Sequence, residues 1–298
     1  MVDNFSIGGF RGSILSFYNT DFIEGSKEVL LKDSVDVVFT SPPYNLEIDY
    51  SSYHDDKTIE EYLKWTSAWV ERVFSCLPPE GSFFLNFGGP AIKNKYDPNL
   101  VFRLLDLCLN YFKLQNSIIW VKAIGIKGPN VPTLTIGHYT PIGGTAHLNN
   151  LWEYVFHFTK TGKVDLDRLG IGVRSDKPDV NRSGNYYNVH CRGNVWFCPY
   201  ETIVSSKKQR PHPAAFPTTL PEMGIRLHGL DKTSLVLDPF SGIGSTGVAC
   251  SRLGKSFVGF EIDKGYFKAG CDRVSRELGS KRALGEKKWG RNSSLKSH

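Results

Sequence analysis

No stretch of about 18 consecutive apolar residues occurs in the 298-residue sequence, which argues against a membrane-spanning helix. The opening run MVDNFSIGGFRGSILSFYNTDF lacks a basic start followed by an apolar stretch, so no secretory signal is expected. Cysteine is sparse: Cys76, Cys108, Cys191, Cys198, Cys250 and Cys271 form no Cys-x-x-Cys pair, and nothing resembles a disulfide framework. His190, Cys191, Cys198 and His212 lie near one another in the chain but fit no common zinc spacing, so no metal is expected. With 40% hydrophobic and 22% charged residues, the composition excludes a disordered or collagen-like chain. The length suits one large domain or two small ones, either able to bury a proper core. The chain reads as soluble and cytoplasmic, with reduced cysteines.

Acidic residues are what the last part of the chain lacks. Residues 279–298 hold one acidic residue against six Lys and Arg. Residues 160–213 hold 5 acidic against 10 basic, whereas residues 1–159 hold 17 against 12. The net +6 therefore sits in one internal segment and one tail. Such segregation suits a polyanion that touches one face, since Lys and Arg neutralise phosphates and release counterions. A solvated basic loop and a loose tail would give the same counts. The tail has no apolar period and is expected to be flexible.

Apolar runs bounded by turn residues predict buried strands at Val35–Thr40, Ser82–Phe87, Ser117–Val121, Tyr154–Phe158, Ser234–Leu237 and Ser256–Phe260. Helices are predicted at Thr58–Cys76, where Tyr62, Trp65, Trp69 and Val73 recur at three- and four-residue spacing, and at Leu100–Tyr111, Thr246–Leu253 and Lys264–Leu278. Strands alternating with helices imply an α/β fold with a mostly parallel sheet. Two stretches, Ala123–Asn150 and Gly162–Pro213, break the rhythm, and aperiodic segments of that length inside a domain are usually functional or disordered.

Leu235 to Gly247, LVLDPFSGIGSTG, reads as a strand, a tight glycine turn and a helix start. Such a turn lets backbone approach a ligand and aims helix N-terminal N–H groups at it. It satisfies Gly-x-Gly-x-x-Gly, and Glu261 closes the next strand where a ribose-binding acid would sit, so a nicotinamide dehydrogenase competes. Asp238 and Phe240 lean away from it. A carboxylate beside the turn would repel a pyrophosphate but accept from an ammonium, as on the amino-acid end of S-adenosylmethionine. A glycine turn that merely packs is the plainer alternative.

The run Asp36-Val-Val-Phe-Thr40-Ser41-Pro42-Pro43-Tyr44-Asn45 sends a buried strand straight into two prolines, which stop sheet pairing and fix φ. The Ser41 hydroxyl, the Pro42 carbonyl and the Tyr44 ring are thereby held at a strand's C-terminal end, where open α/β sheets bind ligands. Ser41 and the Pro42 carbonyl can both accept from one –NH2 group, and Tyr44 offers a face for stacking. Alone, the motif reads as well as a rigid turn with a packed tyrosine.

Together, Thr-Ser-Pro-Pro-Tyr-Asn and the later Asp-Pro-Phe-x-Gly-x-Gly resemble the exocyclic amino-group DNA methyltransferases, in the β arrangement with the catalytic motif first and the cofactor motif last. The resemblance covers roughly residues 17–278 and implies a Rossmann-like S-adenosylmethionine-dependent sheet with permuted motif order and an inserted target-recognition region. It implies a catalytic half over 1–160, target recognition over 161–212, a cofactor-binding half over 213–278 and a basic tail over 279–298. The catalytic set would be Ser41, Pro42, Pro43 and Tyr44. Cofactor contacts would come from Asp21 and Phe22 at the adenine, Glu261 at the ribose, and Thr40, Phe216, Asp238, Phe240, Gly242, Gly244 and Thr246. Arg174, Arg182, Arg192, Lys207, Lys208 and Arg210 could contact phosphates or guanine edges of double-stranded DNA. Trp196 and Tyr200 are read as packing residues. The family setting also allows a cognate restriction endonuclease as partner, a prokaryotic cytoplasm, and either a monomer or a homodimer.

An amino nitrogen conjugated with its ring is a poor nucleophile. Accepting both amino hydrogens, at Ser41 and the Pro42 carbonyl, would favour a tetrahedral nitrogen with an available lone pair for direct attack on a sulfonium methyl. The target must first flip out of the duplex, with Tyr44 stacking on it. Carbon-5 chemistry is disfavoured because Cys198-Pro199 reverses the expected order and lies outside the catalytic strand. Serine at the first motif position, with His212-Pro213-Ala-Ala-Phe216-Pro217, is similar to members acting on cytosine N4. Adenine N6, RNA, a protein amide and a non-catalytic DNA-binding module are the competing readings.

Overall fold

A computed structural model describes residues 3–45, 57–88, 99–124, 135–136, 151–180, 186–199 and 215–292. Its strands are β1 (Asp3–Gly8), β2 (Ile14–Asn19), β3 (Val37–Thr40), β4 (Ser82–Phe87), β5 (Lys113–Val121), β6 (Ala123–Ile124), β7 (Thr135–Ile136), β8 (Trp152–Thr159), β9 (Val173–Val180), β10 (Tyr186–His190), β11 (Val195–Phe197), β12 (Leu235–Asp238) and β13 (Ser256–Phe260). Its α-helices are α1 (Phe22–Val29), α2 (Ile59–Cys76), α3 (Leu100–Leu109), α4 (Thr219–His228), α5 (Ser245–Leu253) and α6 (Lys264–Asn292).

Nine strands form one sheet in the order β1-β2-β13-β12-β3-β4-β8-β5-β11. Pairing is parallel from β2 through β4 and between β5 and β11, and antiparallel at β1–β2, β4–β8 and β8–β5. The expected α/β fold with a mostly parallel sheet is present. Period-two alternation feeds two cores, one on each face: Val37 and Phe39 of β3 join Phe17, Phe84, Val236 and Phe257, while Val38 joins Trp69, Phe83, Leu85 and Leu237. None of the helices among the described residues is long and apolar enough to cross a membrane.

Helix α2 runs as its spacing predicts. Thr58 accepts from the Glu61 N–H while the Glu61 carboxylate accepts from the Thr58 N–H, a reciprocal cap that fixes the start. Leu77 and Pro78 end it. Tyr62, Trp69, Val73 and Cys76 are buried against the sheet, and Trp65 is left half-buried toward the strand ends.

Three features depart from expectation. The N-terminal strands β1 and β2 and helix α1 are present without a predicted counterpart, and helix α4, which apolar spacing does not predict, begins within the His212–Glu222 segment that the family resemblance sets before a helix. The polar, aperiodic stretch after β8 gives up Val195–Phe197 to the main sheet, parallel to β5, with Trp196 1% exposed in the core; Trp196 is a packing residue, as read, and Tyr200 lies outside the described residues. Finally, helix α6 continues to Asn292, beyond the Leu278 end that the sequence predicts. Ala, Leu, Glu, Lys and Arg supply 8 of residues 279–292 and carry high helix propensity, which extends a helix already nucleated at Lys264 against the cost of Gly279, Gly285 and Gly290.

Candidate active site

Strands β3 and β12 are neighbours at the middle of the sheet. From β12 the chain moves outward through α5 to β13, and from β3 it moves the other way through α2 to β4. The two crossovers lie on opposite faces, α5 with the Phe39 core and α2 with the Val38 core. A crevice therefore opens beyond the C-terminal ends of β3 and β12, the switch point at which such sheets bind ligands. A cleft occupies that place, lined by Thr20–Phe22, Ser41–Tyr44, Trp65, Ala215, Phe216, Pro239–Ile243, Ser245, Phe260–Asp263 and Tyr266. The serine–proline turn and the glycine turn, about two hundred residues apart, form facing walls.

The serine–proline wall is clamped from outside. The Tyr62 hydroxyl of α2 donates to the Pro43 carbonyl at 2.7 Å. Buried Asn45 sits at φ 57°, and its side-chain amide exchanges two hydrogen bonds with the Lys57 backbone, each 2.8 Å. Asn tolerates that left-handed conformation better than most residues, which accounts for its place after Tyr44. Among the described residues nothing donates to the Pro42 carbonyl. The Ser41 hydroxyl lies 2.9 Å from the Tyr44 hydroxyl, and the Tyr44 ring packs on Phe87 with centroids 4.3 Å apart.

Two carboxylates flank the glycine wall in different roles. Asp238 is 1% exposed; it accepts from Thr40 Oγ1 at 2.6 Å, Thr246 Oγ1 at 2.7 Å and the Phe240 N–H at 3.1 Å. Burial raises its pKa to about 6 against the lowering pull of those three donors. Asp238, Thr40, Gly244 and Thr246 do not line the cleft; the side chains of Asp238, Thr40 and Thr246 form a polar plug that ties the end of β3 to the glycine turn. Gly244, at φ 77°, packs on Gly270 of α6, where a Cβ would come 3.1 Å from the Gly270 Cα.

Glu261 does line the cleft. Its oxygens accept from the Gly242 and Asp263 N–H groups, both at 2.8 Å, and burial raises its pKa to about 7 against those bonds, with Asp263 and Asp238 adding to the rise. Asn19 of β2 donates to the Glu261 and Ile262 carbonyls at 2.8 and 3.1 Å and so fixes that strand end. Asp21 caps α1 through the Ile23 and Glu24 N–H groups, and Phe22 packs edge-on against Phe260. Phe216 lies edge-on to Phe39 and accepts at its carbonyl from Ser245 Oγ at 2.9 Å. Phe240 is wedged between Trp65 and Trp69, each 5.4 Å away.

Of the nominated residues, the cleft brings together Asp21, Phe22, Ser41, Pro42, Pro43, Tyr44, Phe216, Phe240, Gly242 and Glu261. Trp65, Ile262, Asp263 and Tyr266 also line it and were missed. Two of them carry a readable signal: Trp65 is an aromatic at helical spacing, which points equally to the core, and Asp263 belongs to the acidic strand end Gly259-Phe-Glu261-Ile-Asp263 that the resemblance places at the ribose. Of the nominated DNA contacts, Arg182, Lys207, Lys208 and Arg210 lie outside the described residues, and Arg174 is described only as a backbone position in β9. Arg192 donates through Nε to the Ile171 carbonyl at 3.0 Å. Cys198 is buried away from the cleft, its thiol pKa pushed up to about 11, which removes it as a nucleophile.

The family model described as DNA methylase, for N6 and N4 methyltransferases, matches residues 35–271. The type II methyltransferase M.HpaI of Haemophilus parainfluenzae is 27% identical over 253 residues, covering 84% of this chain and 71% of that one. The DNA adenine methyltransferase YhdJ of Escherichia coli is 25% identical over 246 residues, covering 81% and 76%. Among solved structures, the PvuII DNA methyltransferase (cytosine-N4-specific) superposes with a TM-score of 0.62 at 22% identity, covering 89% of this chain and 91% of that one, a likeness of fold.

Proposed function

The chain belongs to the N6/N4 DNA methylase family, and from that premise we infer that it methylates the exocyclic N4 of cytosine in duplex DNA with S-adenosylmethionine as donor. The observation that carries this reading is the meeting of Ser41–Tyr44 and Pro239–Gly242 across one cleft that Glu261 also lines.

The residues present fit that cofactor. Glu261 holds a carboxylate at the cleft that can accept from two ribose hydroxyls, Asp21 and Phe22 stand beside it for the adenine, and Phe216 and Phe240 supply apolar walls. The cofactor supplies an electrophilic methyl on a sulfonium. Asp238, already holding three donors under the turn, acts by fixing the Phe240–Gly242 backbone rather than by touching the ligand. On the other wall, the Ser41 hydroxyl and Pro42 carbonyl accept the two amino hydrogens of the flipped base, and the Tyr44 ring, backed by Phe87, offers its other face for stacking. Acceptors fixed where positive charge develops on nitrogen lower the barrier without reorganisation.

Serine at position 41 supports cytosine; the 25% likeness to a DNA adenine methyltransferase supports adenine N6 as the second reading. The basic segment 161–212 supplies the duplex contacts in this reading, and the likeness to a type II methyltransferase suits a restriction–modification role with a partner endonuclease. Mass spectrometry of nucleosides from unmethylated plasmid, incubated with the protein and S-adenosylmethionine, tests it. N4-methylcytosine is the expected product; N6-methyladenine would overturn the base assignment and keep the family chemistry.

A further inference from the structure

Behind the serine–proline turn lies a polar chain that none of the acceptors at the target base requires. Glu153, the second residue of β8, is 6% exposed and forms an ion pair with Lys122, the residue after β5. Its Oε2 accepts from Asn86 Nδ2 at 3.0 Å and lies 3.3 Å from the Tyr44 hydroxyl, which is itself 2.9 Å from Ser41 Oγ. Asn86 spends its second amide hydrogen on the Tyr154 carbonyl at 3.0 Å. The backbone makes room for the acid at Gly88, where a Cβ would come within 2.3 Å of Glu153 Cγ. A buried carboxylate with its own counter-ion, in a space that only glycine leaves, is expensive to hold and must be over-determined by its partners.

The Tyr44 hydroxyl has one proton and, among the described residues, these acceptors in reach: Ser41 Oγ, the Asn86 carbonyl at 3.3 Å and Glu153 Oε2. A carboxylate is the strongest acceptor of the three, and more so out of water. We propose that Glu153, held by Lys122, is a positioning residue that draws the Tyr44 proton toward itself, so that Ser41 donates to Tyr44 and presents only lone pairs to the target base. The opposite polarity would aim the Ser41 hydrogen at an –NH2 group that needs acceptors. The same fixed polarity discriminates among bases: it welcomes an exocyclic amino group and repels the carbonyl oxygen that thymine or guanine carries at the equivalent position. The inference rests on the methyl-transfer reading, since only chemistry at an amino nitrogen requires Ser41 as a pure acceptor.

The test measures kcat, the KM for DNA and the cofactor Kd of the full-length protein with Glu153→Gln, alone and combined with Tyr44→Phe. Gln can turn an N–H toward Tyr44 and reverse the chain. Glu153→Gln should lower kcat by about 10-fold or more, with KM and Kd within about twofold of wild type. In the Tyr44→Phe background, where no hydroxyl remains to orient, it should change kcat less than about twofold. An equal loss in both backgrounds, or full activity of Glu153→Gln, overturns the proposal. Should Glu153→Gln not fold, Tyr44→Phe keeps the ring and decides. Full kcat overturns the proposal, as does a Ser41→Ala/Tyr44→Phe pair slower than Ser41→Ala; a slower Tyr44→Phe with that pair equal to Ser41→Ala supports it. A wild-type protein that transfers nothing to DNA removes the reaction and the network's role together, whereas an active wild type with either failure above removes the network alone.

Discussion

Glu261 carries a pH signature that an ordinary carboxylate would not. Burial raises its pKa from 4.5 to about 7, even though two backbone N–H groups pull it down. If the ionised form is the one that accepts ribose hydroxyls, affinity follows the ionised fraction in the free protein, about nine-tenths at pH 8 and about one-tenth at pH 6. S-adenosylhomocysteine should therefore bind about tenfold more weakly at pH 6 than at pH 8, where a carboxylate of pKa 4.5 would change by only a few per cent. Calorimetric titration between these limits reads the slope directly, and buffers of different ionisation enthalpy should report about half a proton released on binding near pH 7. The unliganded fold responds with the opposite sign. Because the folded-state pKa is raised, the native protein binds more protons than the unfolded chain between pH 4.5 and about 7, so its stability grows as pH falls through that window. Glu261→Gln should bind more weakly at pH 8 and show no slope. A flat wild-type profile, or the same slope in Glu261→Gln, refutes the assignment of this carboxylate to the ligand.

Three further outcomes follow from the geometry. Ser41→Ala removes one acceptor and no packing group; transfer should fall about 100-fold or more with cofactor affinity near wild type, and full activity in single-turnover assays would sink the mechanism. Thr40→Val deletes the 2.6 Å donor to Asp238 in a fully buried site outside the cleft, so urea unfolding should show a loss of about 1–3 kcal/mol with little change in the cofactor's binding geometry. Removing residues 279–298 deletes six basic residues and one acidic one; if they meet phosphates, the slope of log affinity against log salt should become shallower by about 0.9 per lost contact, and an unchanged slope would leave them out of the interface.

What could be read from the chain divides along physical lines. Strands buried on both faces, such as VDVVFT and SFFLNF, announce themselves as apolar runs. Strand β2 does not: flanking the parallel centre of the sheet, it is buried through Leu15 and Phe17 only, and its exposed Ile14 and partly exposed Ser16 and Tyr18 blur the alternation. Helix α4 contains Pro221 and Gly224, both marks of a break in sequence. In the fold, Pro221 sits in the first turn, where its missing N–H costs nothing, and a Cβ at Gly224 would meet the Phe39 ring at 2.7 Å, so the glycine lets α4 lie close on β3. Tertiary contact overrode propensity in both cases. Strand β11 is three residues long, too short to carry any period.

The same limit governs the site. Residue identity and order made both walls of the cleft legible, because two prolines or two glycines constrain a backbone whatever surrounds it. The direction in which a carboxylate turns is another matter. Asp238 and Glu261 stand alike at the ends of adjacent strands, yet Thr40 and Thr246 claim the first from below while the second is left at the cleft with only backbone donors. The Thr40 bond to Asp238 joins residues 198 positions apart and has no local signature. Glu153 is the sharper instance. In WEYVFHF it reads as the polar interruption of an apolar strand, and nothing nearby hints that Lys122 neutralises it or that Gly88 clears its space. A buried ion pair of this kind seldom repays its desolvation in stability alone. Its position one hydroxyl behind Ser41 gives it a use that stability does not, and that use is what the Tyr44→Phe background isolates.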